Sequence, residues 1–381
     1  MSAGTTAVVS GKYARLLAQA LGMFGLIVGV LVLSSAQRLS RSDMPFALLV
    51  FPLSIAAVVV HELGHLLAAA CAGCTVLGLS VGPLRVERRR FGMRFFWNRG
   101  RSRTAGLALA VPDFSKDVRR QVLIFTAGGP VTNLIVAMLL LPISWPVQGR
   151  LFNIQLASLF VFGSINFLMG LANLIPYKVI YVSDGLRLLE WWKNSQAAQR
   201  ELKVLRMYAR SLRGEFASDV PLHEIAELES DDTIGIRFFG SYIALRAAQE
   251  RADTEAFCAV LERCRAILPT LDAITYASIR PIWSFCLIEE EFERICAGEH
   301  ARLDIEPDIL KVLPRFIRYR WEAARAWAEA DAGRWSKSMK NAKREIDGLF
   351  DAAVRREEYE LLKRIDTPPR SSTAPDLLGA A

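Results

Sequence analysis

Acidic residues are scarce in the first half of this 381-residue chain. Residues 1–185 hold six (Asp43, Glu62, Glu87, Asp113, Asp117, Asp184) against 17 Lys and Arg, whereas residues 186–381 hold 33 against 30. The formal charge of +8 is thus +11 in the first half and −3 in the second. A basic excess confined to the apolar half points to loops facing an anionic membrane leaflet and argues against a nucleic-acid surface. So few charges at membrane depth also argue against a transporter-like bundle built for ion passage. Histidine is rarer still: His61, His65, His223 and His300. The last two stand alone and read as surface residues. The six cysteines form no regular disulfide framework. Cys71 and Cys74 make a CxxC, which reads as a redox or metal pair or, more simply, as small residues closing a helix. No cleavable signal peptide is evident, and the first apolar stretch reads as a retained transmembrane helix.

What the chain does have is long uncharged runs. Crossing a bilayer takes about 20 residues. Leu16–Gln37, Met44–Val60 continuing to Cys74, Gln121–Gly149 and Leu151–Tyr177 approach or exceed that length. Pro142 and Pro146 are expected to trim the third run at its far end. Between the second and third runs, the 49 residues Ala72–Arg120 carry 11 basic side chains and three acidic ones. The positive-inside rule places this loop in the cytoplasm. The connections at Arg38–Asp43 and Arg150 fall on the other side, and both termini in the cytoplasm. Within the loop, Thr75–Val81, Leu84–Glu87, Met93–Trp97 and Thr104–Val111 are β-prone pieces separated by Gly82-Pro83, Gly92 and Gly100. They suggest a hairpin or small sheet whose edge can receive an extended substrate; a basic linker lying on lipid headgroups is the alternative.

The second run ends in His61-Glu62-Leu63-Gly64-His65, an HExxH sequence. Residues four apart share a helix face, so both imidazoles can reach one zinc ion. Glu62 is placed to take a proton from water activated there, as general base. Two buried histidines beside a chance glutamate is the simpler reading. The membrane-length setting favours the metal. A third ligand must then come from elsewhere, and acids are few. Asp184 follows Asn173-Leu-Ile-Pro176 at the exit of the fourth run and precedes Gly185, where the chain can turn. It can also serve as N-cap of a helix Leu186–Trp192, and the two roles are compatible.

These motifs together resemble those of the site-2-protease-like intramembrane metalloproteases, peptidase family M50, over roughly residues 15–190. His61–His65 with Gly73 and Ser80-Val-Gly-Pro83 resembles the family's first motif and its trailing glycine-rich strand. Ala127-Gly-Gly-Pro130-Val-Thr-Asn133 is similar to its GPxxN, and Asn173-Leu-Ile-Pro176…Asp184-Gly185 to its NxxPxxxxDG. The resemblance implies His61, His65 and Asp184 as zinc ligands, Glu62 as general base and Asn173 as a helper at the scissile carbonyl. Asn173 and Asp184 are 11 residues apart, three more than the commonest family spacing, and no PDZ-like insertion is present.

From about Glu201 the chain turns soluble and helix-rich, with mixed apolar and charged spacing over Phe238–Arg251, Glu255–Ile267, Pro281–Cys296, Asp308–Ala332 and Arg334–Arg364. Ala247–Phe257 and Arg325–Trp335 each read as a helix, a short turn and an aromatic, loosely like tetratricopeptide hairpins. The expected fold is mostly α. A polytopic membrane helix bundle of about four transmembrane helices carries a small β-rich cytoplasmic loop. A soluble α-helical C-terminal domain follows. The expected domains are 1–195, membrane metalloprotease; 196–365, cytoplasmic helices; and 366–381, a disordered tail. The implied function is zinc-dependent hydrolysis of membrane-associated proteins near the cytoplasmic face, in regulated intramembrane proteolysis. Its expected partners are such substrates, the lipid bilayer and a cytoplasmic protein bound by the C-terminal helices. The alternative is a catalytically silent membrane scaffold recruiting partners through those helices.

Overall fold

The computed structural model describes residues 45–97, 106–144, 154–178, 182–299, 310 and 313–369. The expected span Leu16–Gln37, the connection Arg38–Asp43, and Arg99, Arg101, Arg103, Arg150 and His300 lie outside them, as do residues 370–381 of the tail. In chain order the elements begin with α1 (Pro45–Ala72) and four strands, β1 (Thr75–Val81), β2 (Leu84–Arg89), β3 (Gly92–Trp97) and β4 (Gly106–Val111). Helices α2 (Val118–Ser144), α3 (Ile154–Leu174), α4 (Asp184–Trp192) and α5 (Gln196–Arg213) follow. The rest is helical: α6 (Leu222–Glu229), α7 (Ile234–Glu250), α8 (Thr254–Ile267), α9 (Ala273–Cys296), α10 (Arg315–Ala328), α11 (Ala332–Asp347) and α12 (Ala352–Lys363). Two compact units result, residues 1–88 with 93–205, and 89–92 with 206–381.

In the first unit, Leu49–Ala72 of α1 and the whole of α2 are long and apolar enough to cross a membrane, with mean hydropathies of 1.8 and 1.9. In lipid, only a helix satisfies all of its own backbone groups, so such uncharged sequence is driven to this form. The apolar part of α3, Ser158–Leu174, is shorter. Helix α2 passes through Pro142 to Ser144, the last residue described there, and Pro146 lies outside the described residues. Helices α1 and α2 approach closely because small residues face each other. A Cβ on Gly64 would lie 2.6 Å from the Gly128 carbonyl oxygen, and one on Gly128 would lie 2.4 Å from the Ala68 Cβ.

The four β-prone pieces of the basic loop do form strands, in an antiparallel sheet of order β3-β2-β1-β4. Helix α1 leads into β1 with little slack. Gly73, at φ +85°, turns the chain, with its N–H on the Ala70 carbonyl and that of Cys74 on Ala69. This is the left-handed closure that glycine supplies at a helix end. Cys71 and Cys74 are both free thiols there. Leu79, Val81 and Val86 then bury themselves against Val58, Val59 and Leu66 of α1. The sheet is thereby held on the histidine-bearing helix.

The second unit is a layered set of helices. Its hairpins α7–α8 and α10–α11 turn alike. Ala252 (φ 53°) and Ala330 (φ 55°) each precede an aspartate, and Asp253 and Asp331 cap the next helix by accepting the N–H of Ala256 and Arg334. Their cores gather Phe238, Leu245, Phe257 and Trp283 in one cluster, and Phe292, Met339, Ile346 and Leu362 in another. His223 is exposed.

Candidate metal centre

Helical spacing puts His61 and His65 on the face of α1 that meets α2. Both are buried, at 7% and 6% exposure, as is Glu62. The His61 Nε2 and His65 Nε2 atoms lie 3.1 Å apart, and Asp184 Oδ2 is 3.1 Å from the first and 3.4 Å from the second. Four-coordinate zinc with bonds of about 2.0–2.1 Å sets its ligand atoms roughly 3.3 Å apart. Two imidazole nitrogens and a carboxylate oxygen, aimed at one point at that spacing, therefore fit a tetrahedral ion with a position left open. Among the described residues this is the group able to hold a metal ion.

The supporting atoms are specific. His65 Nδ1 donates to the Phe125 carbonyl at 2.8 Å, which fixes the tautomer and leaves Nε2 for the ion. The Gly129 N–H also points at that Nδ1, at a longer 3.3 Å. The Phe125 ring packs on the His65 ring at 5.4 Å and carries the Arg187 guanidinium over it at 5.2 Å. Gly129 supplies room: a Cβ there would lie 2.4 Å from His65 Nε2 and 2.8 Å from His61 Cε1. Within the stretch 127–133 singled out in the sequence, Gly129 is thus the residue that lies against both imidazoles.

Asp184 is delivered by a tightly knotted turn. The cap of α4 is Ser183, correcting the expectation that Asp184 caps a helix from Leu186; Asp184 is itself the first helical residue. Ser183 Oγ donates to the Ile175 carbonyl at 2.8 Å and accepts the N–H groups of Tyr177 at 3.0 Å and Leu186 at 3.2 Å. Gly185 is needed beside it, because a Cβ there would sit 2.0 Å from the Leu174 carbonyl oxygen. At the far end of α4, Arg119 of α2 donates to the carbonyls of Trp191 and Trp192.

Glu62 lies against the sheet rather than in the group of ligands. The Ala108 backbone hydrogen-bonds its carboxylate. A Cβ on Gly106 would fall 2.1 Å from its Oε1. Strand β4 is the edge of the sheet, so the general-base candidate sits beside an edge strand. Asn173 is not drawn into the ligand group. Its amide donates one turn back, to the Met169 carbonyl at 3.0 Å. Ser183, Gly129 and Gly106 carry no signal of their own in the sequence beyond standing in or near the motifs.

Residues 48–156 match the model of peptidase family M50. No curated protein and no solved structure matches the chain. The M50 stretch contains the HExxH and the residues packed beneath it, Phe125 and Gly129. It stops before Asp184, so the third ligand position stands on geometry rather than on the match. The M50 likeness over residues 48–156, two helices long and apolar enough to cross a membrane, and a His₂Asp group that could hold a metal ion are what the site offers.

Proposed function

We propose that this chain is a zinc-dependent intramembrane endopeptidase that cuts membrane-associated proteins near the cytoplasmic side, in regulated intramembrane proteolysis. The observation that carries this is the convergence of His61, His65 and Asp184 next to the buried Glu62 carboxylate. Zinc bound by these three residues would supply a Lewis acid and lower the pKa of water toward 7. Glu62 takes the proton from the attacking water and returns it to the leaving amine, so one peptide bond and one water become a carboxylate and an amine. His65, clamped by the Phe125 carbonyl, and Asp184, clamped through Ser183, keep the donor set in place without rearrangement.

A peptide bond in an intact transmembrane helix has its backbone groups already paired, so the substrate must unwind to be cut. The edge of β4 can take up the released segment by strand addition, which brings it to Glu62. The basic loop that carries the sheet favours a cytoplasmic placement for that edge, with both termini on the same side. A cytoplasmic protein bound by the C-terminal helices is the further partner of this reading.

The test is Glu62→Gln in the full chain. The expected result is loss of cleavage with zinc retained, and one membrane protein accumulating uncut in cells carrying the variant. Undiminished cleavage would overturn the reading and favour a scaffold working through its helical unit.

A further inference from the structure

The two ligand imidazoles are supported unequally. His65 Nδ1 has the Phe125 carbonyl at 2.8 Å, whereas His61 Nδ1 is buried and, among the described residues, has no hydrogen-bond partner. A histidine that binds metal through Nε2 keeps a proton on Nδ1 and nearly always donates it. Leaving that N–H buried and unpaired is unfavourable.

A second unpaired group lies on the facing helix. Asn133 is fully buried, and both its Oδ1 and Nδ2 lack partners among the described residues. It occupies the same α2 stripe as Phe125 and Gly129, at intervals of four. Phe125 touches His65, and the missing side chain of Gly129 makes room for the Cε1 edge of His61. Position 133 is the next on that stripe, about 6 Å further along the helix. Helix α2 runs against α1 so that Gly128 meets Ala68 and Gly64, and Thr132 meets Gly64. Position 133 therefore falls toward His61 rather than His65. Helical Cα–Cβ bonds lean toward the N-terminus, so the Asn133 side chain leaves its backbone on the side of Gly129.

We propose that Asn133 is a positioning residue for His61, its amide oxygen accepting the Nδ1 proton through one bridging water as the Phe125 carbonyl does directly for His65. The two side chains make no direct hydrogen bond, and a single water with polar groups on both sides suits such a site. This rests on the metal-centre reading above and adds a residue to it.

The experiment is metal binding by the full-length protein in nanodiscs, stripped and titrated with zinc against a competing chelator, with the cobalt(II) absorption spectrum as a second readout. Wild type must bind for the metal reading to stand, and His61→Ala must not. Asn133→Leu is expected to weaken zinc about 10–100-fold and to shift the cobalt bands. Asn133→Asp, which keeps the acceptor, should bind zinc as tightly as wild type or more so. A merely structural asparagine would give variants that differ in thermal midpoint but share the wild-type affinity and spectrum, and that result overturns the proposal. Should Asn133→Leu fail to fold, Asn133→Ala takes its place: weakened zinc binding with altered cobalt bands supports the assignment, and wild-type affinity with the wild-type spectrum overturns it.

Discussion

The Cβ that Gly106 lacks would lie 2.1 Å from Oε1 of Glu62. Edge strand and acid side chain are therefore in contact with no spare volume. Gly106→Ala should push the carboxylate aside while leaving His61, His65 and Asp184 in place. A displacement near 1 Å at a reacting group costs roughly 10²-fold in rate. Cleavage of a membrane substrate should fall by that order with zinc content unchanged, and equal turnover in the variant would refute the contact's importance.

Ser183 makes a different prediction. Its hydroxyl ties Ile175, Tyr177 and Leu186 together immediately before Asp184. Ser183→Ala removes a helix cap worth about 1 kcal/mol. Because the loss falls on the turn holding a ligand, zinc affinity should weaken about tenfold, the equivalent of roughly 1.4 kcal/mol. Chelator competition measures it, and Ser183→Thr should recover most of the difference.

The α1–α2 contact admits no added volume. Gly128→Val would drive a branched side chain into the Gly64 carbonyl oxygen, 2.5 Å from where a Cβ would begin. Overpacking of this kind costs about 1–3 kcal/mol. Since the same interface brings Phe125 to His65, the variant should lose thermal stability and zinc together. A drop in one without the other would mean that packing and centre are separable.

A fourth prediction concerns pH and the second unit. Arg246 and Arg320 lie buried among Glu289, Glu357 and Glu358, two cations for three carboxylates. Burial, opposed by Arg246 and reinforced by Glu250 and Glu358, pushes the Glu357 carboxyl up to about 8 from an ordinary 4.5. The folded state then holds this proton more tightly than the unfolded chain does. That stabilisation is complete below pH 4.5 and is lost as pH rises through 8. Thermal unfolding of this unit should come at lower temperature at pH 9 than at pH 6. Glu357→Gln should flatten the dependence and be the more stable form at pH 9.

Much of this arrangement could be read from the residues, and the parts that could not share a cause. The strands appeared because Gly82-Pro83 and Gly92 punctuate β-branched and aromatic stretches, a local signal. The HExxH spacing is equally local, and Asp184 stood out because acids at that depth are so few. Ser183 was hidden because its three partners are set by how residues 175–186 fold back on themselves. Gly106 and Gly129 were hidden because a glycine's reason is the atom lying against it, here a side chain more than 40 residues away in each case. Asn173 is local in its motif, and its amide donates back onto its own helix at Met169.

His61 and Asp184 are separated by 123 positions, with the Phe125 carbonyl in between. During synthesis the HExxH helix enters the bilayer with neither its clamp nor its third donor yet made. A chain with the proposed activity would thus be chemically silent while it is being made. The donor set closes only when the last apolar helix has turned back and the short helix behind it has docked, so on that reading the order of synthesis would keep an unfinished molecule from attacking the proteins around it.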